Sequence, residues 1–491
     1  MARRVKIPVV IRDPIHDLIR IECPFAVEVI NSQPMQRLRR VKHLGLAHLV
    51  YPGAEHSRFS HSLGVFHLAQ LAMETMNQNM RALGKEGGFS ETQKTLVRLT
   101  ALLHDVGHGP FSHMFERVAK DCLGKTAFNH ERWTEKIILE HPVVSDILNR
   151  ASDELYEGKS ITEDIRKILN GIYKPDYVVD LLSSQMDVDR FDYLLRDSFF
   201  AGCHYGELDY QWIFRCMVLA SPPGRGQIQS QNTENTEATP ANRILAVDNL
   251  KGRNCIEEYI LGRHFMYIHL YYHKTIVAAE RMLHSILKRA VYLIKQSQKA
   301  LMEMETTGKA VDENSIVLHP DDYPVLKSFA KGENPPLEEY LSVDDLVVMS
   351  WVNAWSRLGE RDHILSDLSR RLLDRNIFAK IEGPQERKAY REGYESLKKT
   401  LVSKGFDPEY YLLEVELSDI AHKDYMFYFS RGNAENYRDI HLWDSRSDKV
   451  LPLGGMKDQS VVIRGSAALK YDLEAWCVPK EIQSLRGAEQ E

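Results

Sequence analysis

The 491-residue chain is 43% hydrophobic and 27% charged, with a formal net charge of −6. A chain of this length can bury a large core, and it has room for a main domain and at least one smaller one. The slightly acidic balance is not that of a general polyanion binder, so nucleic acid is not indicated as a partner.

Cysteine usage and apolar runs bear on the cellular compartment. The six cysteines are scattered and form no CxxC pair, as expected of reduced thiols. The longest apolar runs fall short of the roughly eighteen residues of a membrane span, and the one after the basic amino terminus is too short for a signal peptide. We therefore expect a cytoplasmic protein with no membrane partner.

Helical periodicity dominates the first three hundred residues. Residues 5–30 predict a loop or hairpin followed by a helix from about Pro24, and residues 34–43 predict a second helix with Pro34 at its first position. A stretch rich in Pro, Gly, Gln, Asn and Thr, residues 221–242, predicts an exposed loop. Further helices are predicted over residues 60–83, 91–106, 130–150, 161–170, 176–197 and 250–299.

Beyond residue 300 the pattern changes. Residues 302–335 are polar and charged, which is typical of a surface excursion. A charged helix over about 386–403 is flanked by candidate strands, which are residues 377–381, 410–416 and 461–464. The sequence therefore predicts a mainly α fold with three regions: a helical core over 1–300, a helical extension with the polar surface excursion over 301–374, and a smaller α+β region over 375–491.

The clearest chemical signal is the segment Leu102-Leu103-His104-Asp105-Val106-Gly107-His108-Gly109-Pro110. An apolar helix ends there in adjacent His and Asp residues, and Gly107 can stop the helix because glycine tolerates left-handed backbone angles. Imidazole combined with carboxylate suits a transition metal such as Mn, Fe, Zn or Ni. His61 and Asp189 offer a third and a fourth ligand.

Other segments accompany this motif in a fixed order: residues 13–16, 36–39, 51–54, 58–65, 104–115 and 187–197, then Tyr271 with His273 and Lys274. Together they resemble the HD-domain superfamily of metal-dependent phosphohydrolases, and within it the deoxynucleoside triphosphate triphosphohydrolase (dNTPase) branch. The resemblance runs from about residue 9 to about residue 285 and implies an HD-domain catalytic core. The metal ligands that it implies are His61, His104, Asp105 and Asp189.

Asp187 is a competing carboxylate two residues from the implied ligand Asp189. An aspartate at a helix start can accept hydrogen bonds from backbone N–H groups that lack a helical partner. We therefore assign Asp187 to a helix N-cap or to an outer hydrogen bond around the metal site.

Candidate acid–base groups follow the metal motif. Pro110 can open a new helix, which places His113 and Glu116 at i and i+3 on one face. A carboxylate beside an imidazole raises its basicity and fixes its orientation, as a general acid requires. The family uses a His with an Asp or Glu partner at this place, and its further site histidine corresponds to His130. The resemblance thus implies that His113, Glu116 and His130 are catalytic.

Candidate substrate contacts lie on later helices. Asp189, Tyr193 and Asp197 are spaced i, i+4 and i+8, so they share a helix face, and the last two could line a sugar pocket. Arg58 and Arg190 adjoin the ligands and are candidate phosphate contacts. The full set of implied substrate contacts is His43, Arg58, His108, Arg190, Tyr193, Asp197, Arg263, Tyr271 and Lys274.

The expected reaction is hydrolysis of a deoxynucleoside triphosphate at its α-phosphorus, which gives deoxynucleoside and inorganic triphosphate. The transition metal would lower the pKa of a water molecule, with Mg²⁺ on the substrate phosphates. His113 would protonate the departing 5′ oxygen, while Arg58, Arg190 and Lys274 would offset the phosphate charge.

Two alternatives stay open. One is another HD phosphohydrolase that acts on nucleoside monophosphates or on signalling nucleotides with the same ligands. The other is a nucleotide-sensing assembly protein, a role that the smaller C-terminal region could serve. By resemblance we also expect a homo-oligomer, either a dimer or a tetramer.

The sequence departs from the family pattern in two places. His43 precedes Leu44-Gly45, where several triphosphohydrolases have a glutamine near the sugar, so a preference for deoxyribose over ribose is not implied. Asn31-Ser32 stands where members activated by guanine nucleotides have an aspartate, so activation by GTP is not expected.

Overall fold

A computed structural model describes residues 8–124, 128–156, 158–222, 243–307, 316–384, 386–416, 440–453, 460, 462 and 474–483. The loop predicted over 221–242 and the strand predicted over 461–464 lie almost wholly outside the described residues. The fold is mainly α with small sheets, which confirms the predicted fold class.

The α-helices of the described residues are α1 (Pro24–Asn31), α2 (Gln33–Arg37), α3 (Arg58–Ala82), α4 (Glu91–Leu103), α5 (His113–Leu123), α6 (His130–Glu140), α7 (Pro142–Leu155), α8 (Ile161–Leu169), α9 (Asp176–Leu182), α10 (Val188–Ala201), α11 (Tyr210–Cys216), α12 (Asn249–Met266), α13 (Lys274–Thr307), α14 (Pro324–Lys331), α15 (Leu337–Leu341), α16 (Asp345–Trp355), α17 (His363–Leu373), α18 (Arg387–Ser403) and α19 (Pro408–Tyr411).

The strands of the described residues are β1 (Val9–Asp13), β2 (Asp17–Ile21), β3 (Met217–Ala220), β4 (Ile244–Asp248), β5 (Ala379–Glu382), β6 (Leu413–Glu416), β7 (His441–Asp444), β8 (Lys449–Pro452) and β9 (Glu474–Val478).

The core forms around α3, which packs against α4, α10 and α11. The close approach of α3 to α10 depends on Gly64, because a Cβ at this position would overlap the Asp192 carboxylate. The 34-residue α13 packs against α5, α14 and α17, so it joins the core to the later helices. Two helix pairs, α3–α10 and α5–α13, therefore determine the spacing of the polar groups described below.

Three sheets complete the described fold. Strands β1 and β2 form an antiparallel hairpin, as the sequence predicts for the amino-terminal segment. A second sheet has the order β3-β4-β7-β8, in which β4 and β7 are parallel, and a third has the antiparallel order β5-β9-β6. Because β7 lies in the predicted C-terminal region, the second sheet links that region to the helical core.

Several predicted helices are shorter than expected. The helix predicted over 34–43 ends as a 3₁₀ turn at Arg40, and Pro34 is its second residue. Val41 is extended with φ −112°, and Lys42 bridges to Ser57, so the chain has left the helix there.

Long predicted helices are also interrupted. The helix over 130–150 breaks at Pro142, and that over 176–197 breaks between α9 and α10. The helix over 250–299 contains a π-helical turn, Tyr267–Tyr271, before α13 begins. Such turns are local bulges that displace the side chains that follow, and they are frequent at functional sites.

Beyond residue 300, the surface excursion predicted over 302–335 is only partly observed. Helix α14 buries Val325, Leu326 and Phe329 against α13, which shows that the polar composition conceals an apolar face. The strand predicted over 410–416 begins only at Leu413, after α19. The charged helix predicted over 386–403 is confirmed as α18.

Among the helices of the described residues, none is both long enough and apolar enough to cross a membrane.

Candidate active site

The four candidate metal ligands converge from three helices. His61 lies in the first turn of α3, His104 and Asp105 follow the end of α4, and Asp189 lies in the first turn of α10. The Nε2 atom of His61 is 2.9 Å from Asp189 Oδ1 and 3.8 Å from Asp105 Oδ2. The Nε2 atom of His104 is 3.5 Å from Asp105 Oδ1 and 3.7 Å from Asp189 Oδ1. The four side chains thus form one contact cluster, in which His61, His104 and Asp189 present ligand atoms within 4.8 Å of one another.

The hydrogen bonding of these ligands fits a bound cation. His104 Nδ1 donates to the Ala101 carbonyl at 2.8 Å, which leaves Nε2 with a lone pair. That Nε2 atom is buried and has no hydrogen-bond partner within the described part of the chain. Two imidazoles with two carboxylates form a donor set suited to a divalent transition metal.

The electrostatics of the metal-free cluster favour a positive charge among its carboxylates, which a proton on His61 supplies. Burial opposes the charged form of His61, but hydrogen bonds to the Asp189 and Asp192 carboxylates raise its pKa to about 10. Burial also opposes ionisation of Asp189, yet His104 and His61 hold its pKa below the usual range. The cluster therefore stabilises ionised carboxylates around a positive charge.

A buried ionic network orients the His61 ring through its Nδ1 atom, the nitrogen that does not face the other candidate ligands. Asp192 accepts hydrogen bonds from His61 Nδ1 at 2.8 Å and from Arg196 Nε at 2.8 Å. Its other oxygen is 2.6 Å from His16 Nε2, and Arg196 also pairs with Asp13 at 2.9 Å. Asp13 and His16 come from the hairpin motif at residues 13–16, so that motif supports a candidate metal ligand.

Asp187 caps α10 and has partners other than the candidate ligands. Its Oδ1 atom accepts a hydrogen bond from the Arg190 backbone N–H at 2.8 Å, and its Oδ2 atom accepts bonds from Ser184 N–H and the Arg190 guanidinium, both at 2.8 Å. This confirms the predicted N-cap. Burial raises the pKa of Asp187 to about 6 in spite of Arg190.

Contacts with residues outside the loop between α4 and α5 fix the conformation of that loop. Gly107 does not adopt left-handed angles, contrary to the sequence interpretation. Glycine is required at this position for a different reason, because a Cβ would overlap the backbone of α6 at His130 and Thr134. Left-handed angles fall instead on Phe111, with φ 50°, and on Ser112, with φ 53°.

Two residues of the strained turn have specific partners. Phe111 N–H donates to Asp345 Oδ1 at 2.8 Å, and the Ser112 hydroxyl accepts from Arg58 Nε at 2.8 Å. Arg58 also contacts the Asp105 carboxylate. The turn therefore connects a candidate phosphate contact and a candidate ligand with α16.

The candidate acid–base groups lie beside the metal cluster. Glu116 Oε1 is 2.6 Å from His130 Nδ1 but 3.6 Å from His113 Nδ1, so His130 is the closer partner. The rings of His130 and His108 stack with centroids 3.9 Å apart. The His113 side chain is 72% exposed, whereas Glu116 is buried. Burial opposes ionisation of Glu116, but His113 and His130 hold its pKa below the usual range.

A wall of polar and aromatic groups adjoins the cluster. Asp197 accepts a hydrogen bond from the Tyr271 hydroxyl at 2.7 Å and lies 2.7 Å from His56 Nε2. The Tyr193 ring packs edge-on against Tyr271. His43 lies over the His61 ring with centroids 4.4 Å apart, and burial holds its pKa well below the usual range.

One cavity of about 410 Å³ joins these groups. The sequence-predicted residues that line it are His43, Arg58, His61, Asp105, His108, His113, His130, Asp189, Tyr193, Asp197 and Tyr271. His104 and Glu116 are next to lining residues without lining it themselves.

Three of the predicted cations do not line the cavity: Arg190, Arg263 and Lys274. Arg190 pairs with Asp187, and the buried Arg263 packs 5.6 Å from the centre of the Tyr267 ring. Burial raises the pKa of the Tyr193 hydroxyl well above its usual value. The nearby charges of Arg263 and Arg190 act in the opposite direction. They therefore lie behind the aromatic wall.

Sequence reasoning missed another part of the lining, which includes Arg117, Glu280, Arg281 and His284. Helical spacing is the signal that could have found these residues. Arg117 is four residues after His113, and the other three continue the α13 face one and two turns after Val277.

Comparisons with known proteins agree with this architecture. Residues 58–197 match the sequence family described as the HD domain. The uncharacterised protein YwfO of Bacillus subtilis is 31% identical over 434 residues, which are 88% of this chain and 84% of YwfO. Human deoxynucleoside triphosphate triphosphohydrolase SAMHD1 is 32% identical over 219 residues, 40% of this chain and 33% of SAMHD1.

A solved structure extends the likeness to the fold. The crystal structure of a phosphohydrolase from Bacteroides thetaiotaomicron superposes with a TM-score of 0.66 at 24% identity. The superposition covers 96% of this chain and 99% of the other. The fold is therefore shared over nearly the whole chain, including the regions beyond residue 300.

Proposed function

We propose, on the premise that this chain belongs to the HD-domain family of phosphohydrolases, that it hydrolyses deoxynucleoside triphosphates to deoxynucleosides and inorganic triphosphate. The observation that carries the proposal is a single cavity that joins the His/Asp cluster, the Glu116-linked histidines and the Tyr193–Asp197 wall. Its volume of about 410 Å³ is typical of a small-molecule site. The similarity to SAMHD1 supports the choice of substrate.

In this proposal His61, His104, Asp105 and Asp189 hold a divalent transition metal. When bound, that metal lowers the pKa of a water molecule and polarises a phosphoryl oxygen. Asp192 keeps the His61 ring oriented through Nδ1, and Arg58 restrains Asp105. Such outer contacts fix the geometry of ligands and tune them.

The proton for the leaving 5′ oxygen is assigned to His113. Its ring reaches the cavity, and Glu116 lies 3.6 Å from its Nδ1 atom. Glu116 supplies a negative charge that stabilises the imidazolium form, while the 2.6 Å contact with His130 holds the carboxylate in place. His130 and His108 extend this wall as a stacked pair.

The triphosphate is assigned to the side of the cavity that carries Arg58. Arg190 and Arg263 lie near the Tyr193 hydroxyl but do not line the cavity, so their contacts with phosphate stay predictions. A triphosphate needs several such cations, because a buried anion without compensation is costly. The assignment of Lys274 to a distal phosphate stays a prediction, as do the Mg²⁺ on the phosphates and the dimer or tetramer.

The sugar is assigned to the wall formed by Tyr193, Asp197 and Tyr271, with His43 above it. Asp197 already accepts from Tyr271 and contacts His56, so its carboxylate is fixed in position. A ribose hydroxyl would meet a preformed acceptor there. Selection between ribose and deoxyribose would then depend on the space beside His43.

A substrate panel tests the proposal. The metal-loaded protein is incubated with NTPs, dNTPs and dNMPs, and the products are identified by mass. We expect intact inorganic triphosphate and deoxynucleoside from the dNTPs, with no turnover by the His104→Ala/Asp105→Ala double variant.

Each other product pattern points to a different function. Orthophosphate with dNDP would indicate attack at the γ-phosphorus and would contradict the proposal. Activity confined to monophosphates or signalling nucleotides would favour the alternative phosphohydrolase. Tight nucleotide binding without turnover, with the metal in place, would favour a sensing and assembly protein.

A further inference from the structure

The cavity has an arm between α5 and α13 that the proposed chemistry does not use. Helix α13 contributes Val277, Glu280, Arg281 and His284, which lie on one face at helical spacing. Helix α5 contributes Arg117 from the opposite side. The arm is therefore a mixed apolar and charged part of the cavity that contains none of the candidate metal ligands.

Glu280 is the distinctive group of this arm. Its Oε1 atom lies 3.7 Å from the position that a Cβ on Gly45 would occupy, so the carboxylate faces the loop that also lines the cavity. Within the described part of the chain, this carboxylate has no hydrogen bond and no ion pair. Burial raises the pKa of Glu280 to about 7, although Arg117 and Arg281 act in the opposite direction. Such a partly buried carboxylate without a partner, lining a cavity, is a candidate for a ligand contact.

The position of Glu280 fits one end of a nucleoside. Gly45 is two residues from His43, and two residues span at most about 7 Å. The His43 ring is itself only 4.4 Å, centre to centre, from that of the candidate ligand His61. With the α-phosphate at the metal cluster and the sugar beside His43, the base would reach the Gly45–Glu280 arm.

The Glu280 carboxylate and the apolar walls of the arm suit a base. A carboxylate repels the oxygens of a phosphate but accepts hydrogen bonds from N–H groups. The walls beside it include Leu44, Met114 and Val277, whose apolar surfaces can pack on the flat face of a base. Enzymes that act on nucleotides commonly read a base by hydrogen bonds to its Watson–Crick edge.

We propose that Glu280 determines base specificity by accepting hydrogen bonds from an amino-bearing base, with guanine preferred and thymine disfavoured. This inference rests on the proposed placement of the phosphate at the metal cluster. Guanine offers adjacent imino and amino donors to the two carboxylate oxygens. Thymine has no amino group and presents carbonyl oxygens that repel the carboxylate.

The ratio of kcat/KM for dGTP over dTTP tests the inference. Glu280→Gln keeps the side-chain shape, but its amide N–H can donate to a thymine carbonyl and no longer accepts two bonds from guanine. We expect the ratio to fall by about 10- to 100-fold, the effect of losing a hydrogen bond to a charged group. The matched control is Glu303→Gln, the same change at an exposed position on α13, which should leave the ratio unchanged.

A second variant guards against misfolding. Glu280→Leu removes all hydrogen bonding and should lower dGTP turnover while dTTP turnover is retained, which also shows that the protein is folded. If Glu280→Leu does not fold, Glu280→Gln decides the question alone. A dGTP/dTTP ratio that stays within twofold of the unmodified protein in Glu280→Gln overturns the inference.

Binding of deoxyguanosine and thymidine, measured by calorimetry on the metal-loaded protein, separates this inference from the proposed reaction. A preference for deoxyguanosine that disappears in Glu280→Gln supports base reading even if no dNTP yields triphosphate. Triphosphate release from every dNTP, with no effect of Glu280→Gln on nucleoside binding, retains the reaction and refutes the base contact.

Discussion

Asp187 and Asp189 lie two residues apart at the start of α10, yet their carboxylates have different partners. Asp189 faces His61 and His104, whereas Asp187 accepts hydrogen bonds from Ser184 and Arg190. Side chains two positions apart on a helix point in very different directions, and here that difference separates a candidate ligand from a cap.

Substituting each aspartate separately tests this division. Asp189→Ala should reduce the bound metal to background, because one of the two carboxylates of the cluster is lost. Asp187→Ala should retain the metal but lower the free energy of unfolding by about 1–2 kcal/mol, as expected for a lost N-cap. Elemental analysis of the purified proteins measures the metal, and urea denaturation measures stability. Loss of metal from Asp187→Ala alone would reverse the assignment.

Glu116 provides a second test at the level of single residues. Its carboxylate is held ionised by His113 and His130. Glu116→Gln removes this negative charge and the acceptor that holds the two imidazoles, so the proton donor loses its electrostatic and positional support. We expect kcat near neutral pH to fall by about tenfold or more, with metal and nucleotide still bound.

The histidine variants identify the donor in the same assay. His113→Ala should lower kcat by about 10²- to 10⁴-fold while nucleotide and metal still bind. His130→Ala should mainly disturb Glu116 and have the smaller effect on kcat. If His113→Ala turns over at the normal rate, His130 becomes the proton donor.

The candidate site was predictable where its residues belong to contiguous motifs. The His104–Asp105 pair and the i, i+4, i+8 series from Asp189 carry their spacing in the sequence, and the structure brings those residues together. Asp192 and Glu280 were not singled out, because neither differs in sequence from an ordinary charged helix residue. Only the approach of α3 to α10, and of α5 to α13, distinguishes them.

At the level of elements, the segment from α15 to the start of α16 is hydrogen-bonded to the loop that follows the candidate ligands His104 and Asp105. Tyr340 donates a hydrogen bond to the Gly107 carbonyl at 2.6 Å, and Asp345 accepts from Phe111 N–H. Arg37 donates both to the Val343 carbonyl and to the His108 carbonyl, so it joins this segment to the motif. The strained backbone at Phe111 and Ser112 is thereby stabilised by residues far away in the sequence.

Disrupting this support should reduce activity without touching a ligand. Asp345→Ala leaves the Phe111 and Lys42 backbone N–H groups without their buried acceptor, which costs about 1–3 kcal/mol per unsatisfied group. We expect a lower melting temperature and a lower kcat, because Ser112 and Arg58 lose their alignment. Leu346→Ala, at an exposed position of the same helix, is the control and should change neither. Normal kcat in a destabilised Asp345→Ala would show that the turn is structural only.

Helix ends were the least predictable feature at this scale. Periodicity indicated one helix over 250–299, but a π-helical turn at Tyr267–Tyr271 interrupts it. That turn brings Tyr271 to Asp197, a contact between residues far apart in sequence. Local propensity contains no information about such a contact, so it could not place the break.

At the level of the whole molecule, the three predicted regions are joined by direct contacts. Helix α13 packs against α14 and α17, and β7 pairs in parallel with β4. The parallel pairing of Val247 with Leu442 could not be predicted, because hydrophobic patterning identifies a strand but not its distant partner. The division at residues 300 and 374 therefore describes composition, and we infer that it does not mark independent folding units.

Unfolding of the full chain tests this inference. Metal release and loss of far-ultraviolet circular dichroism should occur at the same urea concentration, because α16 contacts the His104–Asp105 segment and the C-terminal strands pack against α13 and β4. Coincidence of the two transitions is the expected result. An early loss of dichroism with the metal retained would show that the C-terminal region unfolds on its own.

The contact between Asp345 and Phe111 also bears on how the protein is made. The two residues are 234 positions apart, and a ribosome adds about 5–20 residues per second. After Phe111 has been added, roughly 10 to 50 s pass before Asp345 has even been synthesised. During that time the nascent chain carries His104 and Asp105 on a turn that lacks its stabilising partner. Stable metal loading should therefore follow synthesis of α16, and a translational pause before that helix would prolong the exposure of an unfinished site.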